Sequence, residues 1–302
     1  MKREKTISLL KSKRWLRANK TNKKPTAMSV FLRKNSKNLN LIFTKLLLYS
    51  IILLKTNICE GVMIENGKPV YKRVLLKLSG EAISSGKNGI LNFDYIKEIA
   101  DVIKKCVANG VQFGIIVGAG NIWRGRSGES MDRVKADHMG MLATCINAVA
   151  LQESFVRYGL DTVVMTAVEM KAFAKPFSRD DAVDALNSGK VVIFGAGLGI
   201  PFVSTDTAAV VRAAEIGADI VLMAKNIDAI YTADPRKDKT AEKISNITYK
   251  EILARGLQAM DSTATSFAMD NNIPIHVFGL DKCENIYNVI MGAEMGTVVK
   301  GE

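Results

Sequence analysis

From Pro69 onward, short apolar runs rich in β-branched residues alternate with longer segments of helical period. That alternation predicts βα units packed round a mostly parallel sheet. The strand-like runs are Arg73–Leu78, 111–117, 162–165, 191–194, 220–223 and 275–278, with 297–299 closing the chain. Their hydrophobicity is nearly continuous, as expected of strands covered on both faces. Helical periodicity marks 93–107, 139–158, 182–187, 207–216, Tyr249–Arg255 and 263–270. Asn109-Gly110, Gly159, Gly217 and Gly256 follow these segments, where a glycine readily closes a helix. No repeat or low-complexity linker interrupts 68–302, so the expected fold class is α/β, a three-layer α/β/α sandwich with a mostly parallel central sheet.

Charge divides the chain in two. With 302 residues, 48 % of them apolar, there is ample material for a packed core. The net charge of +12 would ordinarily point to nucleic acid or an anionic membrane. Residues 1–62, however, hold 15 Lys+Arg against only Glu4 and Glu60, leaving 27 basic and 28 acidic residues in 63–302. That first stretch is rich in Lys, Arg, Asn and Ser as far as Asn40, and then apolar over 41–54 (LIFTKLLLYSIILL). The apolar run is short for a spanning helix, which needs about 20 residues, and Lys45 interrupts it. The basic region before it is too long for a signal peptide. Residues 1–62 are therefore expected to be an extension outside the fold, disordered or lying upstream of a natural start at Met63; a membrane anchor or basic arm is the competing reading. For 63–302 neither a membrane nor a nucleic acid is expected as partner. Cys59, Cys106, Cys145 and Cys283 form no C-x-x-C pair, and histidine occurs only at His138 and His276. No zinc site or disulfide framework follows, and a reducing cytoplasmic setting does.

Three glycine-bearing segments fall at the carboxyl ends of predicted strands, where open parallel sheets bind their ligands. These are Lys77-Leu78-Ser79-Gly80-Glu81, the run 118–125 (GAGNIWRG), and 195–199 (GAGLG) followed by Pro201 and Ser204-Thr205-Asp206-Thr207. Glycine lets backbone N–H groups approach an anion, and a helix N-terminus adds a favourable dipole. One such loop is ordinarily a turn; three of them, with Lys77 and Arg124 alongside, point to phosphate. No G-x-x-x-x-G-K-[ST] is present, which excludes a P-loop. Trp123 stands where a dinucleotide fingerprint needs its third glycine, which argues against hydride chemistry.

These residues resemble a known family. K-L-S-G-E at 77–81, G-A-G-N-I-W-R-G at 118–125, D-H-M-G-M-L-A-T at 137–144, S-T-D-T-A-A at 204–209 and Y-T-A-D-P at 231–235 are similar to the bacterial uridylate kinases of the amino-acid-kinase superfamily. The likeness runs in order from 68 to 299. It implies transfer of the γ-phosphoryl group of ATP to UMP, with Mg²⁺ held mainly by phosphates. It also implies a cytoplasmic homohexamer in pyrimidine nucleotide synthesis, activated by GTP and inhibited by UTP. Catalytic roles fall on Lys77, which would neutralise the transferring phosphoryl group, on Asp206, which would orient Lys77, and on Arg124, which would clamp phosphate as a fork. ATP would meet Lys77, Leu78, Ser79, Gly80, Gly120, Arg124, Lys225, Asn226, Tyr231 and Asp234. UMP would meet Ala119, Asp137 and the stretch Leu198, Gly199, Ile200, Pro201, Phe202, Val203, Ser204 and Thr205. Asp261 resembles a position tied to nucleotide regulation. Simpler roles stand beside some of these: Asp206 as N-cap of the helix 207–216, Asp137 as cap of the helix 139–158, Arg124 as a surface cation, and Tyr231 as a core aromatic.

Departures from the family pattern concentrate at the acceptor. The third loop usually reads G-T-G-N-P, and here Leu198 and Ile200 replace the hydroxyl and the amide. Asp228-Ala229 replaces the usual D-G, and the loop between Arg126 and Met131 is short. The competing readings are a kinase of the same fold acting on a carboxylate or carbamate, and a non-catalytic nucleotide sensor or nucleic-acid binder using the basic arm. D-H-M-G-M-L-A-T argues against the first; intact Lys77, Arg124 and Asp206, with a near-neutral 63–302, argue against the second.

Overall fold

The computed structural model of the protein describes residues 67–84, 89–123, 131–257 and 260–301. The expectations for the extension 1–62 and for Arg124 therefore lie outside the described residues. Residues Ile64–Glu302 form one compact unit.

Among the described residues, nine strands form one sheet in the order β4-β3-β5-β2-β1-β6-β10-β11-β9. They are β1 (Arg73–Leu78), β2 (Gln112–Val117), β3 (Thr162–Thr166), β4 (Lys175–Pro176), β5 (Val191–Gly195), β6 (Ile220–Lys225), β9 (Asn246–Thr248), β10 (Ile275–Gly279) and β11 (Thr297–Lys300). Every pairing in this sheet is parallel except β10 with β11. A separate antiparallel pair joins β7 (Ile230–Tyr231) to β8 (Lys243–Ile244). The seven expected strands are all present, within a residue or two of their foreseen ends. The two- and three-residue strands β4, β7, β8 and β9 were not expected, since a run that short carries no periodicity.

The helices are α1 (Phe93–Ala108), α2 (Arg133–Arg157), α3 (Arg179–Asn187), α4 (Thr205–Ile216), α5 (Tyr249–Arg255), α6 (Ser262–Asp270) and α7 (Glu284–Ile290). Helix α7 was not foreseen. Helix α2 begins six residues before the expected Met139, because its first turn is polar and hides the period; Asp132 caps it by accepting from the Lys135 N–H at 3.1 Å. Asp137 thus lies inside the helix and does not cap it. Although α2 is long and apolar enough by composition to cross a membrane, it packs on β3 and β5.

Alternation along the central strands decides which face each residue serves. Val74, Leu76 and Leu78 of β1, with Ile220, Leu222 and Ala224 of β6, join the core beneath α1, α2 and α7. Leu75 of β1, with Val221 and Met223 of β6, joins the opposite core beneath α4, α5 and α6. Lys77 and Lys225 continue that second face. Because β1 and β6 pair in parallel with Lys77 opposite Met223, the two lysines emerge two residues apart on neighbouring strands, on the α4 side. Close packing of α4 also explains Gly114 on β2, where a β-carbon would stand 2.7 Å from Ile216 Cδ1.

Candidate active site

Both lysines meet the start of α4. Lys77 Nζ lies 2.9 Å from Asp206 Oδ1 and Lys225 Nζ lies 3.2 Å from Oδ2. The three side chains are 13, 20 and 16 % exposed for Lys77, Lys225 and Asp206, which is little enough for their charges to interact strongly. Burial by itself would raise the Asp206 carboxyl, but the ammonium groups of Lys77 and Lys225 outweigh it and hold the group below the ordinary carboxylate value. For Lys225 burial is the larger influence: with Lys77 as a like charge it depresses the ammonium below the ordinary lysine value, despite Asp206. Asp206 is not the helix cap. That role belongs to Ser204, whose Oγ accepts from the N–H groups of Asp206 and Thr207, each at 3.1 Å.

On one side of this cluster lies a cavity of about 500 Å³ between α2 and the second and third glycine loops. Of the residues expected at the acceptor, Ala119, Asp137, Leu198, Ile200, Phe202, Val203, Ser204 and Thr205 line it. Gly199 and Pro201 do not; Gly199, at φ +76°, shapes the loop by donating its N–H to the Ala196 carbonyl at 2.9 Å. Asp137 accepts both from Arg133 Nε, at 2.9 and 3.0 Å, and from the Phe202 N–H at 2.8 Å. Arg133 in turn stands over the Phe202 ring at 5.5 Å, so one carboxylate ties α2 to the rim of the third loop.

On the other side, Lys77, Ser79, Lys225, Asn226 and Asp234 border a cavity of about 290 Å³. It shares Lys225 and Asp234 with one of about 500 Å³, which Tyr231 lines along with apolar walls from Ile227, Ile230, Leu257 and Val277. Tyr231 is thus no core aromatic, and its hydroxyl donates to Asp228 at 2.8 Å. Three residues expected with ATP, Leu78, Gly80 and Gly120, line neither of these two cavities. Gly120 borders the cavity between α2 and the glycine loops. The Leu78 side chain is fully buried, and its carbonyl accepts from the Gly118 N–H at 3.0 Å. Gly80 lets the first and second loops touch, since a β-carbon there would stand 2.6 Å from the Gly118 carbonyl.

Several supporting residues escaped the sequence reading. Thr144 accepts the Ala196 N–H at 2.9 Å and donates to the Met141 carbonyl at 2.7 Å, fixing Ala196 at φ +62°. Asn147, fully buried, donates to the Gly118 carbonyl at 2.8 Å and pairs with Asn121. Arg212, 4 % exposed, stacks 3.6 Å above the Phe177 ring and donates to the Gly197 carbonyl at 3.2 Å. For the α2 residues helical spacing was the available signal: Arg133, Asp137, Gly140, Met141 and Thr144 recur at intervals of three and four residues down the face of α2 that meets the cavity. Among the described residues no group of three or more His, Cys, Asp or Glu could hold a metal ion.

A family model described as the amino acid kinase family matches residues 72–279. Among solved structures, the chain is similar to the UMP kinase from Bacillus anthracis at 37 % identity and a TM-score of 0.74, covering 77 % of this chain and 97 % of that one. The UMP kinase from Ureaplasma parvum gives 34 % and 0.73, with 76 and 98 % covered. The uridylate kinase from Archaeoglobus fulgidus gives 27 % and 0.60, with 75 and 99 % covered.

Proposed function

The chain belongs to the amino acid kinase family, on the branch of the UMP kinases, and from that premise we propose that it transfers the γ-phosphoryl group of ATP to UMP, giving UDP and ADP. The observation that carries this reading is the Lys77–Asp206–Lys225 cluster, set where an acceptor cavity and a donor cavity meet.

Phosphoryl transfer asks for alignment and charge neutralisation more than for covalent participation. The acceptor oxygen of UMP is already anionic at neutral pH, so no general base is needed. Lys77 and Lys225 supply positive charge to the oxygens of the transferring group, and Asp206 holds both ammonium groups on one side of it. The apolar walls beside Tyr231 suit an adenine ring, and Asp234, shared by both donor cavities, suits its ribose. Asp137 suits the ribose hydroxyls of UMP, with Arg133 holding its carboxylate in place. Arg124, beyond the described residues, is assigned to the phosphates. Both Asp206 oxygens face ammonium groups, so the residues present fit a Mg²⁺ carried by the nucleotide phosphates, where the ion supplies further charge neutralisation.

Residues 63–302 constitute the catalytic domain in this reading, which places the enzyme in the cytoplasm and in pyrimidine nucleotide synthesis as a homohexamer regulated by GTP and UTP. Self-association is supported by the exposed apolar stripe of α2, formed by Met139, Leu142, Ile146, Val149 and Val156. The test is steady-state phosphorylation of UMP, CMP, dUMP and AMP by the full chain. UMP-selective turnover is expected; a folded protein that binds ATP and phosphorylates none of the four would overturn the reading.

A further inference from the structure

Asp261 is the N-cap of α6, yet two of the three bonds its carboxylate accepts come from a different helix. Its Oδ1 accepts from the Ala264 N–H at 2.9 Å, which is the capping bond. The same oxygen accepts from the Thr207 hydroxyl at 2.8 Å, and Oδ2 accepts from the Ser204 hydroxyl. Ser204 and Thr207 belong to the start of α4. A serine hydroxyl has one proton and two lone-pair sites. With its proton held by Asp261, Ser204 is left with its lone pairs facing the N–H groups of Asp206 and Thr207. The cap of α4 is therefore oriented by a carboxylate on α6, and the residue so capped is the one that holds Lys77 and Lys225.

We infer that Asp261 is a positioning residue for phosphoryl transfer, setting Asp206 through the Ser204 hydroxyl; its catalytic consequence rests on the kinase reading of the site. Its location agrees with that role. Asp261 borders the acceptor cavity and also a cavity of about 530 Å³ that Asp206 and Lys225 line. Its negative charge also favours the charged form of Lys225.

Asp261→Asn separates the two duties. The amide keeps an oxygen for Ala264 and Thr207, so α6 retains its cap, but it turns a donor towards Ser204 and removes the acceptor that fixed the hydroxyl. In the full chain, amide hydrogen exchange at Asp206 and Thr207 should quicken about tenfold, with Ala264 little changed. In the same variant kcat for UMP should fall about tenfold, with KM for both nucleotides within about twofold. Ser204→Ala should reproduce that loss, and the double variant should lose no more than either alone. Unchanged exchange at Asp206 and Thr207, or additive losses in the double variant, would overturn the inference. A wild-type chain inert towards UMP would overturn the acceptor assignment instead, and the exchange measurement would still decide the Ser204 link.

Discussion

The ammonium of Lys77 rests 2.9 Å from Oδ1 of Asp206, the two groups arriving from a strand end and a helix start that are 129 positions apart in the sequence. Neither side chain has much freedom there, and each is held by the packing of its own element. Removing either should damage turnover more than binding. For Lys77→Ala we expect kcat to fall by about 10²–10³, the range found when one preorganised donor is lost from a transition state. Asp206→Asn should lose comparable activity and also stability, because two neighbouring cations then face each other without a counter-charge. Single-turnover kinetics and urea denaturation measure the two effects separately.

Lys225 provides a pH signature. Its ammonium is held below the ordinary lysine value of 10.5, burial being the chief cause. The folded chain therefore releases this proton at lower pH than the unfolded one. Between the two values the unfolded state binds more protons, so this group makes stability rise with pH in that window. Activity should run the other way: the alkaline limb of kcat/KM should begin below pH 10.5, and Lys225→Arg should push it upward by keeping the charge. A limb that does not move in the Arg variant would assign the titration to another group.

Thr144→Val tests the support of the third glycine loop. Valine matches threonine in shape but leaves the buried Ala196 N–H without its acceptor, which should cost about 1–3 kcal/mol. The acceptor KM should rise while the ATP KM stays close to wild type. Thr144→Ser, which keeps the hydroxyl, should restore both stability and KM.

Arg212→Lys examines the same loop from below. The charge survives, but the flat stack on Phe177 and the reach to the Gly197 carbonyl do not. A loss of about 2 kcal/mol is expected from chemical denaturation. Again the acceptor KM should suffer more than that of ATP, since Gly197 lines only the acceptor side.

Legibility followed the reach of each interaction along the chain. Strand β1 is legible to the residue because the apolar run Val74–Leu76 lies between Arg73 and Lys77, with Leu78 and a glycine loop directly after. The three glycine loops are legible for the same reason, each carrying its glycine or glycines directly after a strand. The start of helix α2 is harder to read because Arg133, Lys135, Asp137 and His138 interrupt its apolar period, two of them, Arg133 and Asp137, lining the cavity. Asp206 and Asp137 were each weighed as caps, and neither is one. The capping partners are Ser204 and Asp132, and only backbone geometry distinguishes neighbouring cap candidates. The bonds of Thr144 to Ala196, of Asn147 to Gly118 and Asn121, and of Ser204 to Asp261 were invisible because their partners lie between 26 and 57 residues away, and Arg212 reaches Gly197 across 15. A single sequence carries no record of such long-range pairs.

The shared face of Lys77 and Lys225 ties chemistry to folding fidelity. A slip of one residue in β1 would turn Lys77 under α1 and bring a leucine to Asp206, and the same slip would exchange the two hydrophobic layers of that strand. A chain in which β1 pairs one residue out of register therefore loses its core layering and its catalysis together. Turnover in this enzyme is in effect a proofreading signal for the innermost strand, and a preparation's specific activity reports the fraction of chains whose sheet has zipped in register.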